Sequence, residues 1–224
     1  MSTQPSKSDN AVLFDLDGTL TDSGPGITAC IRHAMTEMGH DAPRTETLRW
    51  CIGPPLTDSF AKLLASEDAA LLAQAVTHYR SRFATTGYLE NAVYGGVVEM
   101  LLQVRELGYR MYLVTAKPHV YATRIVEHFS LEQFFDGLYG SELNGTRGDK
   151  TELISYVLAE ERLTAGNTVM VGDREHDVIG AANCGMACIG VSYGYGTAAE
   201  LRESWAIATK PGDIPGLLRA CFER

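Results

Sequence analysis

The hydrophobic positions change period several times along the chain. Residues Ala11–Phe14 form a short unbroken apolar run closed by Asp15, the pattern of a strand buried on both faces with a polar residue at its carboxyl end. Gly18 and the cluster Asp22-Ser-Gly-Pro-Gly26 then predict a turn. Ile27, Ile31, Ala34 and Met38 recur at helical spacing, with Gly39 as a natural stop. From Thr45 to about Thr86 every segment reads as helical. Leu56, Phe60 and Leu63 line one face there, and Leu72, Val76, Tyr79 and Phe83 line another. Ser66, followed by Glu67 and Asp68, is the expected N-cap of the later helix.

After Tyr94-Gly95-Gly96 helix and strand alternate. Val98, Leu101, Leu102 and Leu107 predict a helix stopped by Gly108, and residues 111–114 predict a buried strand ending at Thr115. Ile125 and Phe129 mark the next helix, before a short strand near Leu138. Leu153, Ile154, Val157 and Leu158 mark another, before a strand over 169–171. A turn through Asp177 to Gly185 leads to a strand over Ala187–Val191. Such alternation predicts an α/β fold, a doubly wound parallel sheet with helices on both faces. The all-helical stretch interrupts it after its first strand and reads as an inserted domain. The expected division is 11–23 plus 94–224 for the core, 24–93 for the insertion and 1–10 for a flexible tail.

Composition narrows the function classes. A chain of 224 residues with 45% hydrophobic and 21% charged residues belongs with globular proteins. The formal charge is −9 and no Lys/Arg run tracks a phosphate backbone, so nucleic acid is a poor partner. An acidic surface repels anions at long range, so an anion site here needs local cations. Five scattered cysteines without a C-x-x-C pair argue against a disulfide framework or a zinc site. Cys184 and Cys188, four apart, read as small buried thiols. The six histidines form no zinc set. The polar first ten residues lack a signal-peptide core, and no apolar run reaches membrane-span length. The expected location is cytoplasmic, as a monomer or weak homodimer without a membrane partner.

In open parallel sheets ligands bind outside the carboxyl ends of the strands. The first strand delivers Asp15 and Asp17, the second Thr115 and Lys117, and the fourth Asp173 and, one turn on, Asp177. Lys150 opens the helix before that fourth strand. Carboxylates gathered on one edge are costly unless a cation neutralises them. Asp15, Asp17 and Asp173 offer hard oxygens that suit Mg²⁺, while Thr115 and Lys150 are donors that suit a phosphoryl group. The constellation asks for phosphoryl transfer. His176 reads as a surface residue, and Arg44, Arg49 and Arg147 are weaker candidates for an anion contact. The run Tyr193-Gly-Tyr-Gly196 reads as a glycine-hinged loop at the site edge, not as a dinucleotide fingerprint.

The segments Asp15-Leu-Asp17-Gly-Thr-Leu20, Thr115, Lys150 and Gly172-Asp173-Arg-Glu-His-Asp177 resemble the four signature motifs of the haloacid dehalogenase-like hydrolases. The resemblance covers nearly all of the chain after its first ten residues and implies a Rossmann-like core. The insertion resembles the C1-type helical cap of that superfamily. Within it, Ile52-Gly53-Pro54-Pro55-Leu56, and beyond it Tyr94-Gly95-Gly96-Val97, are similar to phosphoglycolate-phosphatase-like members. The stretch from Gly140 to Lys150 and the run Thr115-Ala-Lys117-Pro118 are more similar to a 5′-nucleotidase-like subgroup.

The resemblance implies a role for each residue. Asp15 is the expected nucleophile, forming an aspartyl-phosphate, and Asp17 the expected general acid and base. Asp15, the Asp17 backbone carbonyl and Asp173 are the expected Mg²⁺ ligands, with Asp177 ordering the shell around the metal. Thr115 and Lys150 are expected to hold the phosphoryl group, and Gly18, Ala116 and Lys117 to meet substrate. Cap closure over a small phosphomonoester, with hinges near Ser23-Gly24 and Tyr94-Gly95, is expected to control turnover. The first expected substrate is 2-phosphoglycolate or another small organic phosphate, with a nucleoside 5′-monophosphate as the alternative. A sugar phosphomutase and a non-catalytic binding module are the other readings. The aspartate at 17 favours a phosphatase or a mutase, and the full motif set disfavours the module.

Overall fold

Residues 9–223 are described by a computed structural model. They build, in chain order, β1 (Ala11–Phe14), β2 (Thr21–Asp22), α1 (Gly24–Glu37), α2 (Leu56–Leu64), α3 (Ala69–Arg82), β3 (Ala92–Val93), α4 (Val97–Glu106), β4 (Arg110–Pro118), α5 (His119–His128), β5 (Gly137–Ser141), α6 (Lys150–Glu160), β6 (Thr168–Gly172), α7 (Glu175–Asn183), β7 (Ala187–Val191), β8 (Ala206–Ala208) and α8 (Ile214–Phe222). The chain divides into two compact units: residues up to Thr21 with those from Val93 on, and Asp22–Ala92. The first eight residues of the expected tail lie outside the described residues, while Asn10 already accepts the Arg110 N–H at 3.0 Å. Among the described residues no helix is long and apolar enough to cross a membrane.

The larger unit is a Rossmann-like doubly wound fold. Its six-stranded sheet runs β5-β4-β1-β6-β7-β8, and every pairing is parallel. β1 is central because both its faces are apolar: Ala11, Val12, Leu13 and Phe14 are all fully buried. Period-two alternation sends Ala11 and Leu13 into one core with Tyr112, Val114, Met170 and Cys188, closed by Leu153, Ile154 and Val157 of α6 and Val178 and Ala181 of α7. Val12 and Phe14 therefore face the opposite side, where Phe14 meets Phe135 edge to face. From β1 the chain builds outward through β4 to β5, then returns to β6 on the other side of β1. That reversal is the topological switch point, so a ligand site belongs at the carboxyl ends of β4, β1 and β6.

Several local expectations change. The helix after Gly96 turns a different face to the core: Val97, Met100, Leu101 and Val104 are buried, whereas Val98 and Leu102 are exposed. The apolar stripe of α4 starts one residue earlier than the spacing of the leucines implied. The second expected strand extends to Pro118, because β4 continues past Thr115 with a register shift against β5. Both β8 and α8 lie in a region whose pattern announced no element.

The smaller unit packs α1, α2 and α3 around Ile27, Ile31, Phe60, Leu72 and Tyr79. It is not helical throughout. Residues 45–51 form a 3₁₀ turn, and the chain then breaks at Gly53, whose φ of +107° is left-handed, followed by Pro54 and Pro55. Consecutive prolines bar their predecessors from the helical region, so no helix continues across them. The cap of α3 is Asp68 rather than Ser66. Its Oδ1 accepts the N–H groups of Ala70 at 2.9 Å and Leu71 at 3.4 Å, and Ser66 Oγ instead accepts the Asp68 N–H. A tight crossing joins α1 to the end of the unit. A Cβ on Gly26 would fall against the carbonyl oxygens of Gly87 and Glu90, the latter at 2.8 Å. Alanine favours a helix interior by about 1 kcal/mol, but here it must push backbone apart. Gly26→Ala is expected to destabilise the protein by about 1–3 kcal/mol in urea unfolding; an unchanged midpoint would show that the Gly87–Glu90 backbone yields freely.

Candidate functional site

The carboxyl ends of β1, β4 and β6 bring the sequence-expected residues together. Asp15 follows β1 directly, and its N–H is held by the Val171 carbonyl of β6 at 2.9 Å. Gly18 then takes φ +88°, and its N–H donates to the Thr21 carbonyl at 2.8 Å, which folds the Asp15–Thr21 segment back over the strand end. Thr115 lies within β4, almost fully buried, with its Oγ1 accepting the Lys117 N–H at 3.3 Å. The Ala116 carbonyl accepts the Ser141 hydroxyl at 2.7 Å. Asp173 follows β6, and Asp177 sits in the first turn of α7.

Lys150 is the hub. As the first residue of α6, behind the N-cap Asp149, it is held in place by a helix that packs on the sheet. Its Nζ donates to Asp15 Oδ1 at 2.7 Å and to the Val114 carbonyl at 3.1 Å, and it lies 2.7 Å from Asp177 Oδ1. One ammonium thus ties together β1, β4 and α7. Burial alone would lower the Lys150 pKa, but the adjacent Asp15 and Asp177 carboxylates outweigh it and raise it above the ordinary range. Asp177 is more central than expected. Its Oδ2 accepts the Arg174 N–H at 3.1 Å, and Gly172 leaves room for it, since a Cβ there would collide with the Asp177 carboxyl.

Charge is the governing quantity. Asp15, Asp17, Asp173 and Asp177 supply four buried carboxylates, and Lys117 and Lys150 two buried ammoniums, which leaves two formal negative charges uncompensated (four minus two). Burial pushes the Asp15 carboxyl from 3.8 to about 6; Lys150 opposes that rise, while Asp177 and Asp17 add to it. Burial, with Asp15 and Asp177 nearby, holds Asp173 well above the usual carboxylate range. Asp15, Asp173 and Asp177 each bring a carboxylate oxygen within 4.8 Å of the others. Asp173 Oδ1 is fully buried and accepts no hydrogen bond from the described residues. An orphaned hard oxygen inside a doubly negative cluster fits a divalent cation of the Mg²⁺ type.

Not every candidate meets the cluster. Lys117 Nζ bonds Asp17 Oδ2 at 2.5 Å instead of standing free for a substrate anion, and Asp17 Oδ1 accepts no hydrogen bond from the described residues. Arg147 pairs with Glu142 and stacks on the Tyr156 ring at 4.5 Å, while the half-buried His176 is outside the carboxylate group. Arg44 and Arg49 belong to the smaller unit. Cys184 lies 3.3 Å from Ser155 Oγ and Cys188 is buried in β7; neither joins a metal-binding group among the described residues. Sequence reasoning underrated one part. The 193–196 loop presses on Asp173, and its two glycines at alternate positions were the available signal.

The cluster also carries stability. Lys150→Met is expected to cost about 3–5 kcal/mol at neutral pH, because it leaves Asp15 and Asp177 buried without their shared cation. Urea unfolding checks this, and a loss below about 1 kcal/mol would mean that the carboxylates are not compensated by Lys150.

Comparison with known proteins follows the same lines. A family model described as haloacid dehalogenase-like hydrolase matches residues 12–191. A protein of Pseudomonas aeruginosa named 5′-nucleotidase is 46% identical over 191 residues, which cover 85% of this chain and 86% of that one. A Mycobacterium tuberculosis protein named tyrosine-protein kinase PtkA is 36% identical over 220 residues, 98% of this chain and 75% of that one. Its structure matches with a TM-score of 0.81 at 33% identity, covering 96% of this chain and 99% of that one. A Vibrio cholerae protein named phosphoglycolate phosphatase is 28% identical over 196 residues, 84% of this chain and 87% of that one.

Proposed function

We propose, for a chain that belongs to the haloacid dehalogenase-like hydrolases and is a phosphatase, that Asp15 is the covalent nucleophile of a Mg²⁺-dependent phosphomonoesterase acting on nucleoside 5′-monophosphates. The observation that carries the mechanism is the Asp15–Lys150 pair at the switch point of the sheet. Lys150 occupies one carboxylate oxygen of Asp15, which leaves the other to attack phosphorus. The bond from phosphorus to the ester oxygen breaks as the bond to Asp15 forms, and splitting the displacement in two lowers each barrier.

Asp17 is the proton carrier in this reading. It protonates the departing ester oxygen and then takes a proton from the water that hydrolyses the aspartyl-phosphate. Lys117 holds the Asp17 carboxylate, so its first role is toward that side chain rather than toward substrate. Thr115 and the Ala116–Lys117 backbone border the space where phosphoryl oxygens would lie, with Gly18 keeping the facing turn close. A Mg²⁺ ion held by Asp15, Asp173 and the Asp17 carbonyl, with Asp177 beside them, would neutralise the phosphoryl charge that otherwise repels an anionic nucleophile. Its fit rests on the orphaned Asp173 oxygen and the two uncompensated negative charges.

Nucleoside monophosphate stands ahead of phosphoglycolate because the relative named 5′-nucleotidase is far more similar than the one named phosphoglycolate phosphatase, 46% against 28%. This reverses the order expected from sequence motifs. The test is a panel of esters with and without Mg²⁺, read as released phosphate: nucleoside 5′-monophosphates, 2-phosphoglycolate and glucose 1-phosphate, with γ-labelled ATP alongside. Highest kcat/KM on the nucleotides, lost on chelation, is expected. Preference for phosphoglycolate would restore that substrate, interconversion of sugar phosphates would mean a mutase, and label passing from ATP to a tyrosine would align the chain with its kinase-named relative.

A further inference from the structure

The 193–196 loop follows β7 and folds over the carboxyl end of β6. Four contacts of different kinds tie it to the site. The Tyr195 N–H donates to Asp173 Oδ2 at 2.7 Å. The Tyr193 hydroxyl donates to the Thr19 carbonyl at 3.0 Å, in the turn that carries Asp17 and Gly18. The Tyr193 ring meets Tyr94 edge to face at 5.3 Å. Beyond Gly196, Glu200 takes the Arg174 Nε–H at 2.7 Å, which anchors the loop to the residue after Asp173.

The glycines record how close the loop comes. A Cβ on Gly194 would overlap the Gly18 carbonyl and stand 2.5 Å from Asp173 Oδ2. One on Gly196 would run into the Asp173 carbonyl. From the other side, a Cβ on Gly18 would strike the Asp173 carboxylate and come within 2.8 Å of the Tyr195 ring. The Asp173 side chain is therefore packed between two glycines and oriented by one backbone N–H. Oδ2 is engaged, and Oδ1, fully buried, has no hydrogen-bond partner among the described residues.

We propose that the 193–196 loop is a positioning clamp that aims Asp173 so that it binds a divalent cation through Oδ1 alone. This rests on the metal-dependent reading given above. A carboxylate with both oxygens free can bind a cation in either a one-oxygen or a two-oxygen mode, and Mg²⁺ demands near-octahedral angles that only the one-oxygen mode satisfies readily. Taking up Oδ2 with a backbone donor settles that choice before the ion arrives. The Tyr193–Thr19 bond ties the same loop to the turn on the other side of the site. The four residues are thus positioning groups, acting through Asp173 and the Asp17–Thr19 turn.

Calorimetric titration of the metal-free protein with Mg²⁺ tests the clamp. Gly194→Ala is expected to weaken Mg²⁺ binding about tenfold or more, the range for groups that orient metal ligands, and Tyr193→Phe, which acts one step further away through the Thr19 turn, about threefold. Gly26→Ala in the other unit lowers stability but should bind Mg²⁺ as the unaltered protein does, which separates aim from general loss of stability. A folded Gly194→Ala protein with unchanged affinity overturns the proposal. If that variant does not fold, Tyr193→Phe decides on the same criterion. No Mg²⁺ uptake by the unaltered protein would sink the metal-dependent reading itself, whereas normal uptake with unmoved variants sinks the clamp alone.

Discussion

Asp15→Asn is expected to lower kcat by about four to six orders of magnitude, the scale on which removal of a covalent nucleophile acts. The fold should survive. Asparagine keeps the shape of the side chain, and Lys150 retains the Val114 carbonyl and Asp177. The carboxylate itself is held at a cost, since burial moves its pKa from 3.8 to about 6. In the metal-free protein that shift has a definite sign. A carboxyl whose folded pKa lies above its unfolded one contributes most stability below 3.8 and loses it as pH rises through about 6. The variant should therefore lose activity without losing stability near neutral pH. Comparison of kcat by steady-state phosphate release and of unfolding midpoints checks both halves. A drop below about a hundredfold would mean that another group attacks phosphorus.

Asp173→Asn separates the metal from the fold. In the metal-free protein Asp173 is fully buried, its Oδ1 is unpartnered, and burial raises its pKa well above 3.8, with the nearby Asp15 and Asp177 charges adding to the rise. Replacing that charge by a neutral amide is expected to stabilise the metal-free protein by about 1–3 kcal/mol at neutral pH, because it relieves the burial of a carboxylate and its repulsion from Asp15 and Asp177. For a chain of this size that is about 2–12 °C in melting temperature. It should also flatten the loss of stability with rising pH above 3.8, because the group responsible is gone. The unaltered protein should gain about 3 kcal/mol at Mg²⁺ a hundredfold above its dissociation constant, and the variant almost none. Melting curves with and without Mg²⁺ at several pH values check this. A variant less stable than the parent without metal, yet still stabilised by Mg²⁺, would place the ion elsewhere.

The parts of the fold legible in the sequence are those where one local signal had one physical meaning. Ala11–Phe14 is apolar at every position, which only a strand covered on both faces tolerates, and Asp15 at its end had to lie at the sheet edge. Thr115 and Asp173 followed from the same rule applied to β4 and β6, whereas Lys150 was read from its place between them at the start of α6. Where two signals competed, pattern alone was insufficient. The helical spacing of residues 45–86 hid the break at Gly53-Pro54-Pro55, since backbone strain leaves no trace in hydrophobic period. In α4 the leucines at 101, 102 and 107 outvoted Val97, Met100 and Val104, yet the latter set faces the core with Leu101. β8 has only three residues at the sheet edge, too short to show a period.

Within the site, identity was easier to read than pairing. A sequence shows that Lys117 and Asp17 exist, but not that a β4 strand prolonged past Thr115 delivers the ammonium to that carboxylate. Asp177 was expected to stand behind the metal, and its 2.7 Å approach to Lys150 depends on where α7 begins relative to α6. Gly194 and Gly196 were visible as residues, while the reason for them is a separation between two backbones that no single segment encodes.

The most direct test of Asp15 as nucleophile is to quench turnover of a ³²P-labelled nucleoside 5′-monophosphate in acid within milliseconds and map the label on the protein. Acyl phosphates survive acid and are cleaved by hydroxylamine, which distinguishes them from phosphoserine and phosphotyrosine. The expected result is hydroxylamine-labile label, formed and lost at rates consistent with kcat, on the peptide that contains Asp15, and absent in Asp15→Asn. Label on any other residue, or turnover with no labelled protein at any time despite unaltered substrate binding, would contradict covalent catalysis by Asp15.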